Sequence, residues 1–221
     1  MEINWVFHVY FMLFFLVFGC VLLWKARRQR TGWQLLTRTR NYVFQERGTT
    51  RHLPYLKRFR LLGASVINDP GEMMAGRCWD RDVLFFNWFS QLGSNLEAVR
   101  GGFACALIPC TQSNLRFLSF HKELDRFVDV SGQTLMVLDT EGFHDSYRLL
   151  CNNRKQADGT FGEELRAFLV EEGPFWLEQD KDMLLIAWPG MWEPHLFDEN
   201  VERLGRLLKL LGEIKKKRSG D

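Results

Sequence analysis

The sequence predicts an α+β protein in which an N-terminal transmembrane helix precedes a mainly antiparallel-sheet domain with an amphipathic C-terminal helix. Three observations support this fold class. An uncharged apolar run begins the chain, short apolar runs separated by turn residues fill its middle, and an apolar stripe at helical spacing lies near its end. Runs of strands and helices without strict alternation indicate an α+β domain. The 221 residues leave room for one anchor and one such domain.

The apolar run extends from Trp5 to Trp24 and contains no Asp, Glu, Lys or Arg. At a helical rise of about 1.5 Å per residue it covers about 30 Å, the thickness of the hydrocarbon core of a bilayer. Tryptophan at each end favours the two headgroup regions. A cleaved secretory signal would need a basic start and a small-residue cleavage site, so we expect a retained anchor.

Basic residues follow the apolar run directly, whereas only Glu2 precedes it. The positive-inside rule therefore places the N-terminus outside and the C-terminal domain in the cytoplasm. The predicted membrane-anchor residues are Trp5, Trp24, Lys25, Arg27, Arg28 and Arg30.

The net charge of +2 conceals a strong asymmetry along the chain. Residues 25–60 carry 11 Lys or Arg against one acid, whereas residues 61–214 carry 14 bases against 24 acids. Cations beside a span are attracted to anionic lipid, so we interpret the basic segment as a topology signal and a bilayer contact rather than a nucleic-acid site. The predicted divisions are an anchor with its basic flank at 1–30, a basic juxtamembrane segment at 31–60, a soluble α+β domain at 61–214 and a basic tail at 215–221.

The middle of the chain predicts a juxtamembrane helix and then antiparallel strands. Residues 31–44 suit a helix close to the membrane, and 48–51 suit a loop. Strands are predicted at 66–67, 73–79 and 83–88, around turns at 68–71 and 80–82. A polar loop at 90–102 leads to the continuous apolar run 103–108, which predicts a buried central strand. Further strands are expected at 115–120 and 135–138, with a turn at Gly132.

The last quarter of the chain predicts a helix, a hairpin and a final helix. Thr160 and Glu163 have the spacing of a capping box that opens a helix ending near Gly173. Strands at 175–179 and 183–188 flank a turn at 180–182. Asp198 is expected to cap the final helix. Its apolar stripe is Val201, Leu204, Leu207, Leu208, Leu211 and Ile214, which we expect to pack on the preceding hairpin rather than on another chain.

The number of cysteines does not indicate a disulfide framework, and their spacing is only a weak indication of a metal site. There are five, an odd number that suits a reducing compartment: Cys20, Cys78, Cys105, Cys110 and Cys151. Cys105, Cys110 and His121 provide three soft ligands, but structural zinc normally needs four, in two tight pairs. Core packing is therefore the favoured interpretation, and no metal residues are assigned.

Other motifs lack the spacing that catalysis or cofactor binding needs. His144, Asp145 and Ser146 are adjacent, whereas members of a hydrolase triad converge from separate elements. Gly101 and Gly102 lack the flanking residues of a phosphate-binding loop. No catalytic or cofactor-binding residue is assigned and no cofactor is expected.

Aromatic residues are abundant, with 8 Trp and 19 Phe. Core filling explains most of them. Phe143, Trp188 and Trp192, however, fall in predicted loops or edges, where an exposed cluster would indicate a surface for a protein partner.

The order of features resembles a broad set of uncharacterised prokaryotic membrane-anchored proteins. The segments that carry the resemblance are Gly32-Trp33, Leu61-Leu-Gly63, Met74-Ala-Gly-Arg77, Val83-Leu-Phe-Phe86, Trp176-Leu-Glu178 and Met183-Leu-Leu-Ile186, before a Leu-rich helix. The resemblance implies a bacterial inner-membrane location and an α+β domain, and it brings no reaction, cofactor or site residues.

The function that these features favour is a membrane-tethered protein-binding or scaffold module at the cytoplasmic face. Its expected partners are the lipid bilayer and another protein or a second copy of the chain, without nucleic acid or an identifiable small-molecule ligand. An unrecognised membrane-associated enzyme would instead need a pocket with converging polar groups. A sensor of an anionic lipid surface would need its basic residues on one membrane-facing plane.

Overall fold

The computed structural model describes residues 5–45, 56–63, 70–92, 99–110, 116–127, 143–151 and 153–212. Several predictions fall outside these ranges and stay predictions: the loop at 48–51, the strands at 66–67 and 135–138, the turn at Gly132, Ile214 and the basic tail.

One long helix begins the described chain. Helix α1 spans Trp5–Arg40, 36 residues or about 54 Å. It is the one described helix that is long and apolar enough to cross a membrane, by length and composition, with a mean hydropathy of 2.1 in its apolar window. The helix passes the predicted boundary at residue 30 without a break. The predicted helix at 31–44 ends early, because Val43 belongs to a strand.

The described strands form a single antiparallel sheet of eight strands, in the spatial order β1-β2-β3-β4-β8-β7-β5-β6. This sheet, together with the helices of the domain, confirms the predicted α+β class. Its strands are β1 Val43–Gln45, β2 Pro70–Cys78, β3 Arg81–Leu92, β4 Val99–Pro109, β5 Phe117–His121, β6 Tyr147–Cys151, β7 Trp176–Asp180 and β8 Met183–Pro189.

Tight turns join two of the predicted hairpins. Trp79 and Asp80 connect β2 to β3 with φ values of 53° and 61°, which is the backbone of a type I′ turn. Lys181, at φ 57°, begins the turn between β7 and β8. The turn predicted at 68–71 is wrong for Pro70 and Gly71, which begin β2. Proline is tolerated at the first residue of a strand, where no ladder hydrogen bond is lost.

The central β3–β4 hairpin extends farther than the sequence predicts. The polar loop expected at 90–102 is wrong at both ends, because β3 continues to residue 92 and β4 begins at residue 99. The central strand predicted at 103–108 is confirmed, and its side chains are between 0% and 3% exposed. Strand β4 lies between β3 and β8, and its alternate side chains belong to two separate apolar cores, so both of its edges are paired and both of its faces are covered.

Each face of the sheet carries its own apolar core. Ala104, Ala106 and Ile108 of β4 contribute to the core beneath the longer helices, which we call the helical face. Phe103 and Cys105 contribute to the opposite face. The helices are α2 Arg60–Gly63, α3 Phe143–Ser146, α4 Arg154–Thr160, α5 Glu163–Glu172 and α6 Phe197–Leu210, with 3₁₀ turns at Lys122–Phe127 and Pro194–Leu196.

Helices α5 and α6 confirm the predicted apolar stripes but not the predicted caps. Thr160 ends α4, and Gly162 is the N-cap of α5, so the capping box is wrong. Asp198 lies inside the first turn of α6 rather than at its cap. There its charge still interacts favourably with the positive end of the helix dipole.

The C-terminal helix packs on the sheet of its own chain. Leu204, Leu207 and Leu208 of α6 are buried in one core with Leu177 of β7 and Ile186 of β8. The cover expected over the β7–β8 hairpin is therefore present within the described chain.

Candidate functional site

Helix α1 is fastened to the domain just beyond the predicted span. Trp33 is buried, and its indole N–H donates a 2.9 Å hydrogen bond to Glu72 Oε2 on β2. The side-chain amide of Gln29 donates to the same oxygen at 3.4 Å. Leaving a buried indole N–H without an acceptor costs about 1 to 3 kcal/mol. Glu72 therefore fixes the orientation of Trp33 and couples α1 to the sheet.

A glycine lets α1 approach the C-terminal part of the domain closely. A Cβ atom at Gly32 would lie 2.6 Å from Cβ and 2.9 Å from Cγ of Pro194, too close for a side chain. Eight residues later, Arg40 Nη2 lies 2.7 Å from Asp198 Oδ1. That ion pair is exposed and adds little stability. The close packing at Gly32 is thus the second point at which the domain holds α1.

The predicted anchor residues lie along this one helix. The backbone of α1 begins at Trp5, and Trp24 is 62% exposed at the end of the predicted span. The exposed cations that follow are Lys25, Arg27, Arg28 and Arg30. The guanidinium carbon of Arg28 lies 5.4 Å from the centre of the Trp24 ring, a cation–π contact. The membrane roles of these residues stay predictions.

A groove of about 820 Å³ lies where α1 meets the domain, and we call it the junction groove. Trp24, Lys25 and Arg28 line one end, whereas Arg27 and Arg30 are not among the described lining residues. Its apolar lining is Leu35, Leu36, Phe89, Met191 and Pro194. The Leu35 side chain is 63% exposed and that of Phe89 is 48% exposed.

A second groove, of about 740 Å³, lies beside the terminal strand β1, and we call it the edge groove. Its apolar lining is Val43, Leu56, Ala75, Val83, Leu84, Leu107 and Met183. Val43 is 62% exposed. In the described part of the sheet, β1 pairs with β2 alone. Charged residues border the groove, and Arg77 Nε lies 3.9 Å from Asp82 Oδ1.

Glu178 on β7 is a buried carboxyl group with a structural role. The side chain is 5% exposed, and its two oxygens accept the backbone N–H of Arg60 at 2.8 and 2.9 Å. Oε2 also accepts the indole N–H of Trp176 at 3.1 Å. Burial raises the pKa of Glu178 to about 7, although these donors and the charge of Arg60 act in the opposite direction. Glu178 therefore holds α2 against the sheet.

Arginines and acids alternate in a cleft of about 500 Å³ beside Glu178. Asp180 lies between Arg58 and Arg116, with N–O distances of 3.7 and 3.5 Å. Arg58 also lies 3.3 Å from Asp182. Arg58 and Arg116 each face a carboxylate. These ion pairs connect segment 56–63 and the start of β5 to the β7–β8 hairpin.

The three soft metal ligands noted in the sequence do not converge. Strands β4 and β5 are separated by β8 and β7, so Cys105 and His121 are three strand spacings apart, about 14 Å. Burial raises the pKa of the Cys105 thiol, whereas a metal ligand must be a thiolate. The described ranges contain no group of three or more His, Cys, Asp or Glu that could hold a metal ion.

The His144, Asp145 and Ser146 sequence lies on α3, a helix of only four residues. The next residue, Tyr147, has a clear structural role. Its hydroxyl accepts the N–H of Phe175 at 3.1 Å and lies 2.7 Å from the carbonyl oxygen of Gly173. Burial raises the pKa of Tyr147, which keeps the hydroxyl a donor. Tyr147 thus joins β6 to the end of α5.

Aromatic residues that could have formed an exposed cluster belong to the core instead. Phe143, Trp188 and Trp192 are 1%, 7% and 1% exposed. The Trp192 indole N–H donates to the Cys105 carbonyl oxygen at 2.8 Å, and the backbone N–H of Trp192 donates to Asn87 Oδ1 at 2.7 Å. The expectation of an exposed partner surface at these aromatic residues is therefore wrong, because the helical layer covers them.

Sequence reasoning missed both grooves and the burial of Glu178. The junction groove combines residues 24–36 with Phe89 and residues 191–195, which no local motif connects. One signal was present. Phe89 continues the alternation of Val83 and Phe85 just past the predicted strand end, which places an apolar side chain beyond the core.

Comparison with known proteins shows a fold likeness and no family. No family model matches the sequence, and no curated protein sequence matches it. The structure is similar to the crystal structure of the mycobacterial trehalose monomycolate transport factor A, TtfA, with a TM-score of 0.55 and 14% sequence identity. The match covers 86% of this chain and 97% of that one. The chain therefore shares the α+β fold of TtfA behind a helix that is long and apolar enough to span a membrane.

Proposed function

We propose that the chain is a non-enzymatic protein-binding module, tethered at the cytoplasmic face of the bacterial inner membrane and serving as an accessory factor of a transport assembly. The observation that carries the proposal is the edge groove, an apolar surface beside a terminal strand. The domain that bears it is fastened directly to α1. TtfA, which shares the fold, is a transport factor, and this supports the transport context.

An extended apolar segment of another protein is the occupant that best fits the edge groove. The outer side of a terminal strand offers backbone N–H and C=O groups for a further strand, and adjacent apolar pockets then select its side chains. Val43 and Ala75 lie in neighbouring strands at the groove and are both exposed. A segment that lies in the groove beside β1 would cover both of them.

An enzyme is the competing class of function. Enzymatic sites bring polar groups with perturbed pKa values together in a cleft. Here the carboxyl group with a raised pKa, Glu178, is engaged by backbone and indole N–H donors, and the nearby Arg58 and Arg116 face Asp180. These interactions favour cross-linking of the fold over catalysis.

Site-specific photocrosslinking in living cells tests the protein-binding proposal. A photoreactive phenylalanine derivative replaces Val43 or Ala75 in the full-length protein, with Val170 on α5 as the control because it is 44% exposed and lies outside the groove. We expect one discrete protein adduct at the two groove positions and none at Val170. Val43→Asp should abolish the adduct formed from position 75. Equal adducts at all three positions would contradict the proposal, and an adduct of twice the protein mass would identify a second copy as the partner.

A pair of fusions tests the proposed topology. Alkaline phosphatase fused after Asp221 should be inactive, because it needs an oxidising compartment outside the cytoplasm. A fluorescent protein at the same position should be fluorescent. Active phosphatase with a dark fluorescent protein would place the domain on the outer face and overturn the cytoplasmic assignment.

A further inference from the structure

The junction groove begins at the predicted membrane surface. Trp24 ends the uncharged segment of α1 and lines the groove, so one end of the groove lies at the level of the lipid headgroups. Leu35 lies 11 residues farther along the same helix, about 16 Å away. That distance is close to the thickness of one leaflet of hydrocarbon, about 15 Å. A lipid that leaves its leaflet can therefore reach the far end of the groove.

The end of the groove near the membrane carries the charge that suits an anion. Lys25 and Arg28 both line it, one helical turn apart and exposed. Glu193 lines the groove as well, two residues before His195, and its carboxylate lies 3.4 Å from His195 Nδ1. Two cations on α1 and one acid therefore line the groove.

The groove also exposes apolar side chains to water, on the wall that the domain contributes and at Leu35 on α1. Leu35 and Phe89 are 63% and 48% exposed, and Met191 lies between the end of β8 and the 3₁₀ turn. Exposed apolar surface of this kind is stabilised when a hydrocarbon chain covers it. The groove thus combines two cations at its membrane end with apolar side chains on its domain wall and at Leu35.

We propose that the junction groove binds one anionic lipid from the leaflet at which α1 leaves the bilayer. The headgroup contacts Lys25 and Arg28. One acyl chain packs against Leu35, Phe89 and Met191. The proposal rests on the membrane anchor and is independent of the protein partner at the edge groove.

Lipid photolabelling of the full-length protein tests this site. The protein is reconstituted in phosphatidylcholine vesicles that contain phosphatidylglycerol with a photoreactive acyl chain, and labelled peptides are identified by mass spectrometry. We expect label on peptides that contain Phe89 or Met191 in addition to the span. The ratio of groove label to span label is the measured quantity, because it corrects for general attraction of the lipid to the protein.

Two matched pairs of variants separate the groove from the surrounding surface. Lys25→Gln with Arg28→Gln should lower the ratio by roughly tenfold, whereas Arg27→Gln with Arg30→Gln removes the same charge from the same helix and should leave the ratio unchanged. Phe89→Glu should abolish the groove label, which Leu196→Glu, at a 39% exposed position outside the groove, should preserve.

Label confined to the span would overturn the proposal, as would equal ratios for the two charge variants or equal groove label from a phosphatidylcholine probe. Formation of a protein adduct instead of a lipid adduct from a photoreactive residue at position 89 would also overturn it. Val43→Asp should lose the protein adduct and keep the lipid label, so the two proposals fail separately.

Discussion

Replacement of Glu178 with glutamine should make the stability of the protein less dependent on pH. In the structure the carboxyl oxygens accept the N–H of Arg60 at 2.8 and 2.9 Å, in a site where the side chain is only 5% exposed. Glutamine has nearly the same shape, and its carbonyl oxygen, in the place of Oε2, accepts the N–H of Arg60 and the indole N–H of Trp176 without titrating. The substitution therefore removes the buried ionisation and keeps the contact with α2.

The sign of the effect follows from the direction of the pKa shift. Burial raises the pKa of Glu178 from 4.5 to about 7, so the folded protein holds a proton that the unfolded chain has already released. The contribution of Glu178 to the free energy of unfolding is therefore fully present below pH 4.5 and is lost as the pH rises from there through about 7. A shift of about 2.5 pKa units at 1.36 kcal/mol per unit corresponds to about 3 kcal/mol at high pH.

Thermal unfolding of the full-length protein in mild detergent, followed by tryptophan fluorescence, measures this difference. At pH 8 we expect Glu178→Gln to raise the Tm by roughly 6 to 12 °C, since about 1 kcal/mol shifts the Tm of a domain of this size by about 2 to 4 °C. Near pH 4.5 the two proteins should unfold within about 2 °C of each other. Glu171→Gln, at an exposed position on α5, is the control. A Tm difference that stays constant between these pH values would refute the reasoning.

Three further changes test the packing of the domain and its attachment to α1. Leu204→Asp with Leu208→Asp puts two carboxylates into the shared core and should abolish the cooperative thermal transition; a folded double variant that only loses a partner would contradict intramolecular packing. Tyr147→Phe leaves a buried backbone N–H without its acceptor and should lower the free energy of unfolding in urea by about 1 to 3 kcal/mol. Gly32→Val should increase proteolysis between α1 and the domain, whereas Gly19→Val, which meets nothing within 4 Å, should not.

The sequence predicts well those strands whose burial and ends follow from their own residue pattern. The run 103–108 is apolar throughout because β4 is covered on both faces, and the β7–β8 hairpin is bounded by a short polar turn. The helix caps were less predictable. Thr160 and Asp198 have the right chemistry for caps, but the N-caps are Gly162 and Leu196, because the packing of α5 and α6 on the sheet decides where each helix begins.

Strand order and burial depend on contacts that are distant in sequence. Strand β8 inserts between β4 and β7, so residues near 105 pair with residues near 187. An apolar core lies on each face of β7, with Leu177 in one and Trp176 in the other, which explains why Glu178 and Gln179 are buried within a run that looks half polar. Trp192 looked exposed because its sequence neighbours are Met191 and Glu193, whereas its ring lies 4.9 Å from that of Phe85.

The two proposed ligands meet the same helix at different distances from the bilayer. The junction groove starts at Trp24, whereas the edge groove borders Arg40, 16 residues later and about 24 Å along the helix axis. Because α1 is unbroken and is held by the domain at Gly32 and Trp33, this separation is fixed by the fold. A lipid that enters from the membrane surface therefore reaches the junction groove alone. Among the described residues the two grooves share no lining residue, so both sites can be filled together and neither ligand displaces the other.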